Sequence, residues 1–98
     1  MKQMLENEME TLRNQGKELS IIDVRETDEV AAGKIPGAVN IPLGLLEFRL
    51  QDLDKSEEHI VVCRSGGRSS MAANLLEERG YKVINMAGGM NEWQGPTE

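Results

Sequence analysis

The stretch "HIVVCRSGGRSS", His59 to Ser70, contains the only cysteine of the chain. A short apolar run ends on that thiol, and a polar, glycine-rich loop follows before a helical pattern begins. Gly66 and Gly67 permit positive φ and close backbone approach, so successive N–H groups can turn inward as an anion nest. A helix starting near Ser69 would aim its N-terminal end, roughly half a positive charge, at the same place. Arg64 and Arg68 add two permanent cations, each able to make forked contacts with an oxyanion. A thiol at the rim of such a loop should have its pKa pulled below that of a free cysteine. Taken singly, each feature has a commoner explanation: a structural thiol closing a strand, a plain turn, solvated surface arginines. Together, in one strand–loop–helix context, they point to a reactive thiolate.

The remaining side chains narrow the chemistry. The single histidine, His59, lies four residues before Cys63, on the same strand face but roughly 13 Å away at the usual rise per residue. It is therefore expected to end the strand in solvent rather than act as the proton acceptor of a cysteine protease. One cysteine and one histidine fall short of a metal site, so no metal is expected. A thiolate activated by dipoles and arginines suits two reactions. It can displace at an electrophilic sulfur and carry that sulfur as a persulfide, or displace at phosphorus and form a phosphocysteine.

Elements must exist to hold such a loop, and 98 residues suffice for a single domain, 1–98, with one core. No apolar stretch approaches the ~20 residues of a membrane span, and "MKQMLENEME" lacks the apolar core of a secretion signal. A lone cysteine suits a reducing, cytoplasmic setting. The net charge of −6, with no basic stripe, argues against nucleic-acid binding. A monomer is the expectation for so small and polar a chain.

"MLENEMETLRNQG" places Leu5, Met9 and Leu12 on one helical face, with Glu6, Glu8 and Glu10 forming a solvated side. "ELSIIDV" is a β-branched run of a buried strand. "ETDEVAAG" gives a short helix with Thr27 as N-cap and Gly33 as stop. Val39 to Ile41 forms a short strand between two prolines, and "LGLLEFRLQDL" a helix packing Leu45, Leu46, Leu50 and Leu53 inward. His59–Cys63 is the next strand, followed by the helix of "SSMAANLLEERG" with Ser69 or Ser70 as N-cap. "YKVINM" is a further strand, and "GGMNEWQG" begins a last short helix. This alternation predicts an α/β fold with a mostly parallel sheet and helices on both faces. Ligands of such sheets bind beyond the carboxyl ends of the strands, where Asp23-Val24-Arg25 and Cys63-Arg64 fall.

Four segments carry a family resemblance: "IIDVRE" at Ile21–Glu26, "AGKIPGAVNIP" at Ala32–Pro42, "CRSGGRS" at Cys63–Ser69 and "AGGMNEW" at Ala87–Trp93. In this order and spacing the chain resembles the single-domain rhodanese-like sulfurtransferases over nearly its whole length. The resemblance implies a central five-stranded, mainly parallel sheet, with Met4 and Leu5 in a vestigial first strand where periodicity alone reads helix. It also separates sulfur from phosphorus. The cysteine-to-arginine loop of that family has six residues, as Cys63–Arg68 has; related phosphatases place the arginine one residue later, where Ser69 stands here. On this resemblance Cys63 is the nucleophile and persulfide carrier. Backbone N–H groups of Arg64, Ser65, Gly66, Gly67, Arg68 and Ser69 surround the outer sulfur, and Arg64 and Arg68 help bind an anionic donor such as thiosulfate. Asp23 and Arg25 form a structural ion pair bracing the loops, and Trp93 anchors the core.

The chain departs from the family at Lys34, where histidine is common, and at Val30, where an aromatic is frequent. A solvent-facing Lys34 is the expectation. The implied function is sulfur transfer without a cofactor, from a small anionic donor or a protein or low-molecular-weight persulfide to a thiol, cyanide or protein acceptor. A second reading is a relay module that exchanges persulfide only with protein partners.

Overall fold

The computed structural model describes residues 1–98. Its frame is a five-stranded sheet of β1 (Lys2–Met4), β2 (Ser20–Asp23), β3 (Val39–Asn40), β4 (Glu58–Val62) and β5 (Lys82–Met86). The strands lie in the order β1-β5-β4-β2-β3, and every neighbouring pair is parallel. The connections hold α1 (Glu6–Asn14), α2 (Thr27–Ala31) and α3 (Gly67–Glu78), with 3-10 helices at Leu43–Asp52 and Gly89–Glu92. No helix is long and apolar enough to cross a membrane.

Both faces of the sheet are covered, which is why the central strands read as continuous apolar runs rather than alternating ones. Alternate residues feed separate cores. Ile21, Ile60, Val62, Ile84 and Met86 pack with Met9 of α1, Ile35 and Ala38 on one face. Ile22, Val61, Cys63 and Val83 pack on the other with Ala72, Ala73 and Leu76 of α3 and Leu46 of the 43–52 helix. Cys63 thus belongs to the α3 side, one residue beyond β4 and 1% exposed. The two central strands set it level with the end of β2, since Asp23 pairs with Val62 and the Val24 N–H donates to the Val62 carbonyl at 2.9 Å.

Several local expectations are corrected. Residues 2–4 form an edge strand on β5, as the family resemblance implies for Met4 but not for Leu5, and the helix that periodicity reads from Met4 begins at Glu6. A backbone bond from the residue after β5 outweighs helical propensity there: the Ala87 N–H donates to the Met4 carbonyl at 2.9 Å. Leu5, placed on the inward face, is exposed, while Glu6, placed on the solvated face, is buried. The Leu43–Asp52 segment winds as a 3-10 helix with three residues per turn, so Leu46 is buried and Leu45 is exposed. Glu26 rather than Thr27 caps α2, its N–H donating to the Glu29 Oε2 at 2.8 Å. The helix after Cys63 starts at Gly67 with Gly66 as cap, earlier than Ser69 or Ser70.

His59 is also corrected. It is buried, with Nε2 donating to the Asp54 carbonyl at 2.8 Å and Nδ1 2.6 Å from Ser20 Oγ. Its register partner is Ser20, which places the ring at the start of β4, the end of the sheet opposite Cys63. Its role is to tie the Asp54 loop to β2. Lys34 is likewise not simply solvent-facing: it is a quarter exposed, donates to the Ala38 carbonyl at 3.0 Å and pairs with Glu98. Trp93 is half-buried against the α1-side core and donates from its indole N–H to the Pro96 carbonyl at 3.0 Å.

Candidate active site

The loop from Cys63 to Ser69 closes at the carboxyl end of β4, and its shape follows from two glycines. Gly66 has φ +98°, and a Cβ there would run into the Ala87 carbonyl oxygen. Gly89 has φ +64°, and a Cβ there would overlap the carbonyls of Cys63 and Arg64. These close approaches let the 89–92 helix dock on the loop. Met90 N–H donates to the Cys63 carbonyl at 2.8 Å and Asn91 N–H to the Arg64 carbonyl at 2.9 Å. With the first two carbonyls held outward, the later N–H groups turn inward, as a nest requires.

The sulfur receives them. Gly66 N–H donates to Cys63 Sγ at 3.0 Å, and Ser69 Oγ lies 3.3 Å from Sγ and 3.2 Å from the Gly66 carbonyl. A thiol can donate to Ser69 Oγ while that hydroxyl donates to Gly66; a thiolate takes the hydroxyl proton for itself. Burial pushes the Cys63 pKa up, but hydrogen bonds from the Ser69 hydroxyl and from the Ser69, Gly66 and Ser65 N–H groups outweigh it, and the net direction is down. The start of α3 adds its dipole in the same sense.

Two predictions arise here. Against pH, alkylation of Cys63 by iodoacetamide should rise at a lower midpoint in the folded protein than in the chain unfolded in denaturant. Ser69→Ala should move that midpoint up, because burial then acts against one fewer donor; an unmoved midpoint would remove Ser69 from the account. Gly66→Ala should cost about 1–3 kcal/mol from its φ alone, with the Ala87 overlap added. A thermal melt and the alkylation rate together report it, and wild-type values for both would contradict the packing described.

The other residues predicted for the site divide. Arg64 and Ser65 are exposed on the loop, and Arg64 takes part in no ion pair. Gly67 opens α3 with open space where a Cβ would sit. Arg68 is not a free cation: Nη1 and Nη2 donate to the two carboxylate oxygens of Glu29 at 2.7 and 2.8 Å. That fork, first among the causes, lowers the Glu29 pKa to about 2 and raises that of Arg68.

Asp23 and Arg25 form a buried pair. Arg25 Nε and Nη2 donate to Asp23 at 3.0 and 2.8 Å, the Arg25 N–H donates to Oδ1, and Nη2 also reaches the Gly33 carbonyl at 2.8 Å. Asn40 spans the Asp23 and Arg25 carbonyls, at 2.9 Å each. The pair thereby ties the end of β2, which lies level with the end of β4, to the turn at Gly33, with no hydrogen bond to the Cys63 sulfur itself.

Sequence reasoning missed two carboxylates. Glu6 accepts the Gly88 N–H at 2.7 Å and so anchors the start of the 89–92 helix to α1. Its place in a first helical turn gave reason for a carboxylate, but its partner lies 82 residues away. Glu29 was visible only as one charge in "ETDEVAAG", though its spacing three residues after Glu26 is that of a capping carboxylate.

An all-parallel sheet with a cysteine nest at a strand end, closed by a helix N-terminus, defines a class, and the comparison with known families agrees. The rhodanese-like domain matches residues 4–96, and the chain belongs to that family. It is similar to the putative sulfurtransferase YtwF of Bacillus subtilis, 46% identical over 82 residues that cover 84% of this chain and 80% of that protein. It is also similar to the putative sulfur carrier protein YrkF of Bacillus subtilis, 47% identical over 81 residues, 82% of this chain and 44% of that protein. A crystal structure of a rhodanese-like domain protein from Staphylococcus aureus superposes with a TM-score of 0.96 at 33% identity, covering 100% of this chain and 97% of that one.

Proposed function

We propose that this chain is a sulfurtransferase in which Cys63 carries the sulfur. The Cys63 thiolate attacks the outer, sulfane sulfur of a donor; for thiosulfate, a new S–S bond forms as the bond to the sulfonate sulfur breaks, and sulfite leaves with the electron pair. The resulting Cys63–S–S⁻ is then attacked at its outer sulfur by a thiolate, by cyanide or by a protein cysteine, and the Cys63 thiolate departs. No metal, redox partner or general base enters either step. The observation that carries this reading is the Gly66 N–H at 3.0 Å from Sγ within a loop whose backbone donors face the same point. A nest of this kind stabilises the charge of the attacking thiolate and, after transfer, that of the terminal sulfur. The reading takes residues 1–98 as a single domain working in the cytoplasm, where reduction keeps the thiol available.

The test is the intact mass after brief exposure to thiosulfate. A gain of one sulfur atom, removed by cyanide and absent in Cys63→Ala, supports the reading; no gain from thiosulfate or from a persulfide donor defeats it. A relay working with protein partners is the second reading. It is favoured by the likeness to the putative sulfur carrier protein YrkF. Faster loading from a cysteine-desulfurase persulfide than from thiosulfate would select it.

A further inference from the structure

One of the two loop arginines is already occupied. Arg68 occupies the last position of the cysteine-to-arginine loop, in the first turn of α3 and one residue before Ser69, whose hydroxyl lies 3.3 Å from Cys63 Sγ. Both terminal nitrogens of its guanidinium are turned to Glu29 in a two-bond fork, 2.7 and 2.8 Å long. Glu29 is itself held: its Oε2 accepts the Glu26 N–H at 2.8 Å, so the α2 cap fixes the carboxylate that grips Arg68. The two side chains are about a third and a quarter exposed, 33% and 26%, so the fork stands at the rim of the site rather than in the core. Arg64, the other loop arginine, is exposed and unpaired, which leaves one free positive charge beside Cys63 where the sequence shows two.

We infer that Glu29 is a specificity-determining residue that neutralises Arg68 and so disfavours small dianionic donors at Cys63, leaving the site to sulfane sulfur borne on a thiol carrier. This rests on the sulfurtransfer reading above for the identity of the donors. Its physical basis does not: a dianion such as thiosulfate is attracted by a bare guanidinium at the rim and gains little from a guanidinium–carboxylate pair of zero net charge. A persulfide on a peptide or protein brings one charge at its reacting end, which the backbone nest can hold unaided. The Glu29 carboxylate stays ionised far below neutral pH because of the fork, so the neutralisation persists over the working range. The net charge of −6 adds to the disfavour at longer range.

The test replaces Glu29 by Gln, which keeps the shape and the capping oxygen and removes the charge, and by Asp as the charge-preserving control. Thiosulfate should load E29Q with a KM lowered about tenfold, the scale of one unit charge acting on a dianion at a partly screened site, with kcat changed little. Loading by cysteine persulfide should stay within about twofold. E29D should resemble the wild type. An independent reading comes from alkylation: the rate with iodoacetate divided by that with iodoacetamide should rise several-fold in E29Q alone. That ratio needs no sulfur transfer, so it judges the role of Glu29 even if no donor loads Cys63. An unchanged ratio and an unchanged thiosulfate KM in a folded E29Q would overturn the inference. A fall in both loading rates with an unchanged ratio would also overturn it, by showing that the fork only braces the loop.

Discussion

Cys63→Ala should acquire no sulfur from any donor and turn over no cyanide, with its fold preserved. The expectation of a complete loss, rather than a partial one, comes from the covalent step: the chain has no other thiol to carry the sulfur. In the proposed mechanism the rest of the loop acts on the charge of that one atom. The backbone donors of Ser65, Gly66 and Ser69 remain in the variant, but they have no nucleophile to stabilise. The Cys63 side chain packs in the α3-side core, and exchanging its sulfur for nothing removes a small buried atom, so a modest loss of stability accompanies the chemical loss. Intact mass and a cyanide assay read the first effect, and a thermal melt the second. Residual turnover in the variant would mean that the sulfur is never carried on this residue.

Asp23→Ala should have the largest effect on stability of any substitution near the site. Asp23 is fully buried, and its carboxylate accepts from three donors of one arginine, Nε to both oxygens, Nη2 and the backbone N–H. Removing it strands the Arg25 guanidinium, also buried, with only the Gly33 carbonyl as partner. A buried ion left unpaired costs about 3–5 kcal/mol, a large share of the stability of a domain this size. The midpoint of thermal unfolding should fall by well over about 10 °C, given roughly 4–8 °C per kcal/mol. The double variant Asp23→Ala with Arg25→Leu should recover much of the loss, because it removes the orphaned charge and restores apolar volume. Recovery distinguishes an uncompensated charge from a simple cavity, and its absence would assign the loss to packing alone.

The order of strands and helices was legible because this fold writes it plainly. Buried parallel strands such as Ser20–Asp23, Glu58–Val62 and Lys82–Met86 are dense in β-branched residues, and glycine closes the helices between them. The errors fall where a local pattern competes with a distant partner. Periodicity alone runs the first helix through Met4, yet β5 takes it as an edge strand, as the family resemblance implied. Leu45 has the spacing of an α-helical core position, yet the 3-10 winding of its segment turns it out and Leu46 in. His59 is polar and starts a strand, yet Ser20 and the Asp54 carbonyl satisfy both ring nitrogens and permit its burial.

By itself the sequence determined the α/β order, the strand end at which the glycine-rich loop falls, and the one cysteine sulfur of the chain. Those follow from periodicity, from glycine's access to positive φ at Gly66, and from the single cysteine, all of which are local properties. Only the tertiary structure decided how charge is shared out around that atom. Arg64 and Arg68 look alike in "CRSGGRS", but the strand order brings α2 beside the loop, and Glu29, 39 residues from Arg68, takes one arginine and leaves the other. Glu6 is joined to Gly88 in the same way, by the pairing of the first strand with the last. Ion pairs and anchoring contacts of this kind depend on which elements become neighbours in space, and no spacing along the chain encodes that.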